Sequence, residues 1–159
     1  MATDAKTGQQ IFGRYNVGLH NVGSYQSSGK PFITGSAHSA ALRVHMIEFP
    51  SVSKSFTVIN TSAANKDIRV HFQSGSSLVG APITVPGATG EAIIAPGDDV
   101  IALKHFVTID AGASVTMDLK CKQFYVSSVQ DATTYEVFAE LTNIPTDRMY
   151  HLTGSGITS

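Results

Sequence analysis

Six histidines are the residues here best suited to binding a metal or moving a proton, and they stand at positions 20, 38, 45, 71, 105 and 151. None of the HxH, HExxH or HxxxH spacings that bring two imidazoles onto one ion occurs among them, so no metal and no other cofactor is expected. What does recur is a tripeptide, Arg43-Val44-His45 and Arg69-Val70-His71. If both copies lie on strands with valine facing inward, Arg43, His45, Arg69 and His71 share an outer face. Such a face could hold a partner carboxylate or an acidic group on a sugar. The competing reading is an ordinary solvated or subunit-contacting sheet face.

Nucleophilic chemistry has less to work with. The pattern GxSxG is absent, and Gly154-Ser155-Gly156 sets its glycines one residue from the serine instead of two. Cys121 follows Val115, Met117 and Leu119 at alternate positions, which suits a buried small hydrophobe rather than a reactive thiol. The turn Pro96-Gly97-Asp98-Asp99 could lend oxygens to Ca²⁺, yet such a site takes about six, and the nearest other acids are Glu91 and Asp110. Plain turn chemistry accounts for the pair. Glycoside hydrolysis needs two carboxylates beside sugar-stacking aromatics, and a chain with no Trp, five Tyr and eight Phe supplies few platforms. No catalytic residue is assigned, and no small-molecule substrate is expected.

Composition narrows the partners. With 11 basic and 12 acidic residues the net charge is −1, too little field to hold a polyanion, so nucleic acid is not an expected partner. Only 14% of residues are charged, against a usual share of about 25%, as suits a packed subunit surface. The single cysteine excludes a disulfide within the chain. The first ten residues show no apolar signal segment, and no run approaches the ~20 apolar residues of a membrane helix. The expectation is a cytoplasmically made chain that stays soluble until it assembles, with no membrane contact.

The elements that must position these residues read as strands. Glycines at 8, 13, 18, 23, 29 and 35 fit neither a helix nor a sustained strand, so residues 1–40 read as an extended arm, with extended pieces at Gln10–Tyr15 and Pro31–Thr34. From residue 41 apolar residues alternate, as in strands with one buried face. Ser55–Asn60, Ile68–Gln73, Val115–Cys121 and Thr134–Leu141 are the clearest. Leu42–Phe49, Glu91–Ala95, Val100–Ile109 and Phe124–Ser127 are less regular, and Ile83–Val85 is short. Turn residues separate them at Pro50, Asn60–Asn65, Pro86-Gly87, Pro96-Gly97, Asp110-Ala111-Gly112 and Pro145.

At 159 residues this describes one antiparallel, all-β sandwich, jelly-roll-like, over 41–150, between the arm and a tail at 151–159. The expected core is Phe56, Val58, Ile68, Val70, Phe72, Val115, Met117, Leu119, Val137 and Leu141. The apolar parity flips between Lys122 and Phe124, which calls for a bulge or a crossing between sheets. Phe138 falls on the polar side of its strand, between Glu136 and Glu140, as a candidate subunit contact. Ile11, Phe12, Tyr15 and Leu19 are the arm's candidates for burial on an adjacent subunit.

Two stretches carry a resemblance. Tyr15-Asn-Val-Gly-Leu-His-Asn-Val-Gly-Ser-Tyr-Gln-Ser-Ser-Gly-Lys-Pro-Phe-Ile-Thr-Gly, at 15–35, resembles the start of small virion structural proteins of marine tailed phages of the cyanophage-like group. Tyr150-His-Leu-Thr-Gly-Ser-Gly-Ile157 is similar to their ends. The resemblance implies a virion β-sandwich that decorates or cements the capsid shell, or a minor head protein. Its partners would be other virion proteins, the major capsid protein first, and copies of itself. A tail, neck or fibre-associated component is the next expectation, and a carbohydrate-binding sandwich the one from another class. No catalytic or binding residues come with it.

Overall fold

A computed structural model describes Leu19, Gly23 and the stretches 31–41, 43–72, 84–85, 92–93, 106–128, 130–150, 152–153 and 156–157. The strands among these residues are β1 (Pro31–Ala37), β2 (Arg43–Glu48), β3 (Ser53–Asn60), β4 (Ile68–His71), β5 (Thr84–Val85), β6 (Ala92–Ile93), β7 (Val107–Ile109), β8 (Ser114–Met117), β9 (Gln123–Ser128), β10 (Thr134–Leu141), β11 (Leu152–Thr153) and β12 (Gly156–Ile157). A 3₁₀ turn follows β10 at Thr146–Arg148. The fold is an all-β sandwich. One sheet of the sandwich runs β1-β10-β3-β8, the other runs β5-β2-β9-β4-β7 with β6 also against β2, and β11 and β12 form a separate two-stranded pair.

The connectivity is a nested ribbon. Four of the antiparallel pairs nest, β1 with β10, β2 with β9, β3 with β8 and β4 with β7, closing inward along the chain to the β4–β7 pair. Successive pairs alternate between the two sheets, so the ribbon rolls around one core. β5, parallel to β2, and β6 both lie in the long connection between β4 and β7.

Alternation explains which side chains fill the core. In β10, Tyr135, Val137, Ala139 and Leu141 are buried while Glu136 and Phe138 are exposed, the period-two pattern of a strand with one wet face. Phe56 of the first sheet stacks on Phe124 of the second at 4.5 Å and 18°, and Phe49 packs beside Phe124 at 5.6 Å. This cross-sheet aromatic cluster is the centre of the core. Of the expected core, Phe56, Val58, Ile68, Val70, Val137 and Leu141 are buried, while Phe72, Val115, Met117 and Leu119 pack against it half-buried. The parity flip after Lys122 coincides with the passage from β8 in one sheet to β9 in the other.

The sandwich begins earlier than the sequence indicates. Pro31–Ala37, expected in the arm, is a full edge strand paired with β10 from Pro31↔Glu140 to Ala37↔Thr134. Its inward residues are Phe32, Thr34 and Ser36, with Ile33 outward, so no apolar stripe marks it as a core strand. Leu19 also departs from expectation. It packs on a small second core of the same chain, formed by Val52, Ile144 and Met149 with Leu152. Ile11, Phe12 and Tyr15, the piece Gln10–Tyr15, and Glu91, Asp98 and Asp99 lie outside the described residues.

Candidate interaction surface

The two Arg-Val-His copies do not form one face. In β4 the phase is as expected: Ile68 and Val70 enter the core, and Arg69 and His71 turn the other way, opposite Ser127 and Tyr125 of β9. His71 stacks on Tyr125 at 5.5 Å and 9°, its Nε2 lies 3.0 Å from the Ser127 hydroxyl, and it is buried rather than surface-exposed. The Arg69 guanidinium lies 4.4 Å over the ring of Phe106.

In β2 the phase is reversed. His45 pairs with Val126 and Ile47 with Phe124, so both turn into the core, whereas Val44 and Met46 lie opposite Ser127 and Tyr125 on the far face. Ile47 and Phe49 are completely enclosed and set this register. His45 comes inward with them, as does half-buried Arg43, opposite Ser128. The expected surface of two arginines and two histidines is therefore not formed.

Inside the core His45 joins a cluster that the sequence did not mark. Its Nδ1 is 2.8 Å from the Tyr135 hydroxyl, and its ring stacks on that of His38 at 4.2 Å and 17°. His38 follows β1, where the chain leaves the first sheet for the second. Its backbone N–H donates to the Thr133 carbonyl at 2.8 Å, its Nδ1 lies 2.9 Å from Thr133 Oγ1, and its Nε2 donates to the Val126 carbonyl at 3.2 Å. A carbonyl only accepts, so Nε2 carries the proton, and in the neutral ring Nδ1 accepts from the threonine hydroxyl. Both nitrogens are thus used, which stabilises a buried polar pair that would otherwise cost several kcal/mol. Face-to-face rings do not converge on a common point, and no group of three or more metal-ligating side chains gathers among the described residues.

Cys121 lies in the main core, and burial pushes its thiol up to about 12, with the Ser53 hydroxyl at 3.4 Å opposing the shift. At neutral pH it is a protonated core side chain and no nucleophile. An open groove of about 470 Å³ lies where β1 starts and β10 ends, walled by Pro31, Phe32, Pro50, Leu141 and Pro145, with Ser51, Thr142 and Asn143 at its polar positions. None of its lining groups can take or give a proton near neutral pH, so it offers no acid or base.

The outer face of the first sheet is different. One cross-strand row runs Ile33, Phe138, Thr57 and Thr116 across β1, β10, β3 and β8. Ile33 is 70% exposed and its direct partner Phe138 42% exposed, side by side on an open sheet. Thr57 and Thr116 bond each other through their hydroxyls at 2.9 Å. Charge is sparse here: exposed Glu136 flanks the row on one side, and Glu140 on the other is bridged to Lys54 at 3.1 Å. The exposed position of Phe138 agrees with its place among the glutamates in sequence. Ile33 escaped notice because its segment reads as arm. No protein-family model matches the chain, and comparison with curated proteins and with solved structures finds no match.

Proposed function

We propose that this chain is a phage virion structural protein, a capsid decoration (cement) or minor head protein that binds and stabilises the assembled shell. The observation that carries the reading is the exposed Ile33–Phe138 pair on the open face of a sheet. Two large apolar side chains in contact with water are the kind of anchor that subunit interfaces bury at their centres. Three further features support it. The ribbon nested between two sheets supports the jelly-roll reading of the sandwich, an architecture shared by capsid and lectin domains. The low charge content lets a large area be covered without stranding unpaired ions. The segment 15–35 resembles small virion proteins of marine tailed phages.

The chemistry of such a protein is attachment. Many identical contacts, each modest, add up on a repetitive shell because the first contact raises the effective concentration of the next. The partner is then the major capsid protein, and the place of action is the virion, assembled in a host cytoplasm. Antibody against the chain, applied to virions of marine tailed phages in the electron microscope, tests this directly. Label spread over the shell is the expected result, and label confined to tail or neck, or absent from virions, overturns it.

A further inference from the structure

Sheet edges are where one chain can add to another, because an unpaired strand presents a row of N–H and C=O groups. The described edges of this sandwich are unequal. β8 has four residues and runs on into exposed Asp118 and Lys120, β7 has three residues, and β5 and β6 have two each. Short edges and flanking charges are the usual protections against edge-to-edge pairing. β1 has neither. It is seven residues long, Pro-Phe-Ile-Thr-Gly-Ser-Ala, carries no charge, and pairs with β10 in one uninterrupted register while its other edge meets no strand among the described residues.

We propose that the outer edge of β1 pairs antiparallel with β1 of a second copy of this chain, joining the two β1-β10-β3-β8 sheets into one. A two-fold axis at Thr34 sets Ile33 opposite the partner's Gly35, Phe32 opposite the partner's Ser36 and Pro31 opposite the partner's Ala37. Ile33, the most exposed large apolar side chain described, then lies over a residue with no side chain. Position 35 also has little room for one, since a Cβ there would stand 3.2 Å from the Tyr135 carbonyl oxygen. Pro31, which lacks a donor, falls at the end of the ladder, where only a terminal bond is lost.

Charge selects this occupant over a foreign strand. β1 is neutral and asks for no countercharge, and the nearest carboxylates on its face, Glu136 and Glu140, lie one strand in, the latter already paired with Lys54. A second β1 brings no charge to the seam. The contact is smaller than the roughly 800 Å² per partner of a standard interface, so the dimer is weak, with Kd on the order of 10–100 μM. The shell reading gives this contact its use, since a weak dimer becomes populated where many copies sit together. The contact itself is independent of that reading.

The test uses the full purified chain without shells. Sedimentation equilibrium across low to high micromolar concentration, with hydrogen exchange at the Phe32–Ser36 amides, should show a reversible dimer and protection that grows with concentration. Ile33→Lys, a charge at an exposed edge position, should weaken the dimer about tenfold or more. Thr116→Lys, the same change on the opposite edge of the sheet, should leave it unchanged. A chain that stays monomeric at the highest concentration overturns the proposal. So does a dimer without concentration-dependent protection of β1, or one that the two variants weaken equally. Loss of shell labelling with the dimer intact would instead overturn the capsid reading alone.

Discussion

The same tripeptide occupies two strands of one sheet in opposite phase. In Arg69-Val70-His71 the valine enters the core and the histidine lies on the far side, stacked on Tyr125. In Arg43-Val44-His45 the histidine enters the core against His38 and Tyr135, and the valine takes the far side. Three residues do not decide which way a strand faces. What decides it is the largest apolar group farther along the strand, Ile47 in β2 and the Ile68/Val70 pair in β4, because burying these groups outweighs the cost of turning a histidine inward when it finds a hydrogen-bond partner.

Truncation should separate the two histidines. His45→Ala opens a hole beside the His38 ring and removes the bond between His45 and the Tyr135 hydroxyl, a cavity and a lost buried hydrogen bond together. The expected cost is ~2–4 kcal/mol in urea unfolding. His71→Ala also empties a buried position, but one on the far side of the sheet from the main core, losing the Tyr125 stack and a bond to the Ser127 hydroxyl, at a cost of ~1–2 kcal/mol. Equal costs, or the reverse order, would break the assignment of opposite phases.

Much of the fold was legible because most strands have one dry and one wet face. β3, β4 and β10 announce their phase by alternation, and the turn at Asp110-Ala111-Gly112 is where the chain reverses, with Gly112 at φ +76°. β2 was not legible in phase, since Val44 and Met46 on one side and Ile47 and Phe49 on the other are all apolar, and both sides of the strand are covered. Such a run carries no period to read. β1 failed for the opposite reason: its exposed side bears Ile33 and its covered side only Phe32 beside Thr34 and Ser36, so hydrophobicity singles out neither face. The face that best fits an attachment role was therefore half visible, through Phe138 alone.

Cys121 extends the comparison to an inward group that is held neutral. Its thiol titrates near 9 in an exposed setting and is raised by burial to about 12 in the fold. Between those values the native state binds the proton that the unfolded chain releases, so stability is intact below pH 9 and falls as pH rises toward 12, by up to about 1.4 kcal/mol per unit. Cys121→Val removes the titrating group while keeping a small apolar side chain. Unfolding free energies measured from pH 8 to 11 should fall more steeply for the natural chain than for the variant. Parallel curves would mean that the thiol ionises inside the folded protein.

The smallest effect on stability is expected at Phe138, the aromatic that stands outside. A core phenylalanine such as Phe56, enclosed by Phe49, Phe72 and Phe124, loses its contacts and leaves a cavity when shortened, at ~3–5 kcal/mol. Phe138 has water over one side and touches the fold through its cross-strand neighbours Ile33 and Thr57. A pair of that kind is worth ~0.2–1 kcal/mol, and a serine in its place opens no cavity because solvent fills the space. Phe138→Ser should accordingly shift the unfolding free energy by less than about 1 kcal/mol while abolishing attachment to shells. The large aromatic then serves a contact outside the chain, since the fold gains little by keeping it. A loss of stability as large as that of Phe56→Ala would instead make Phe138 part of the framework, and the open sheet face would lose its claim to be the attachment surface.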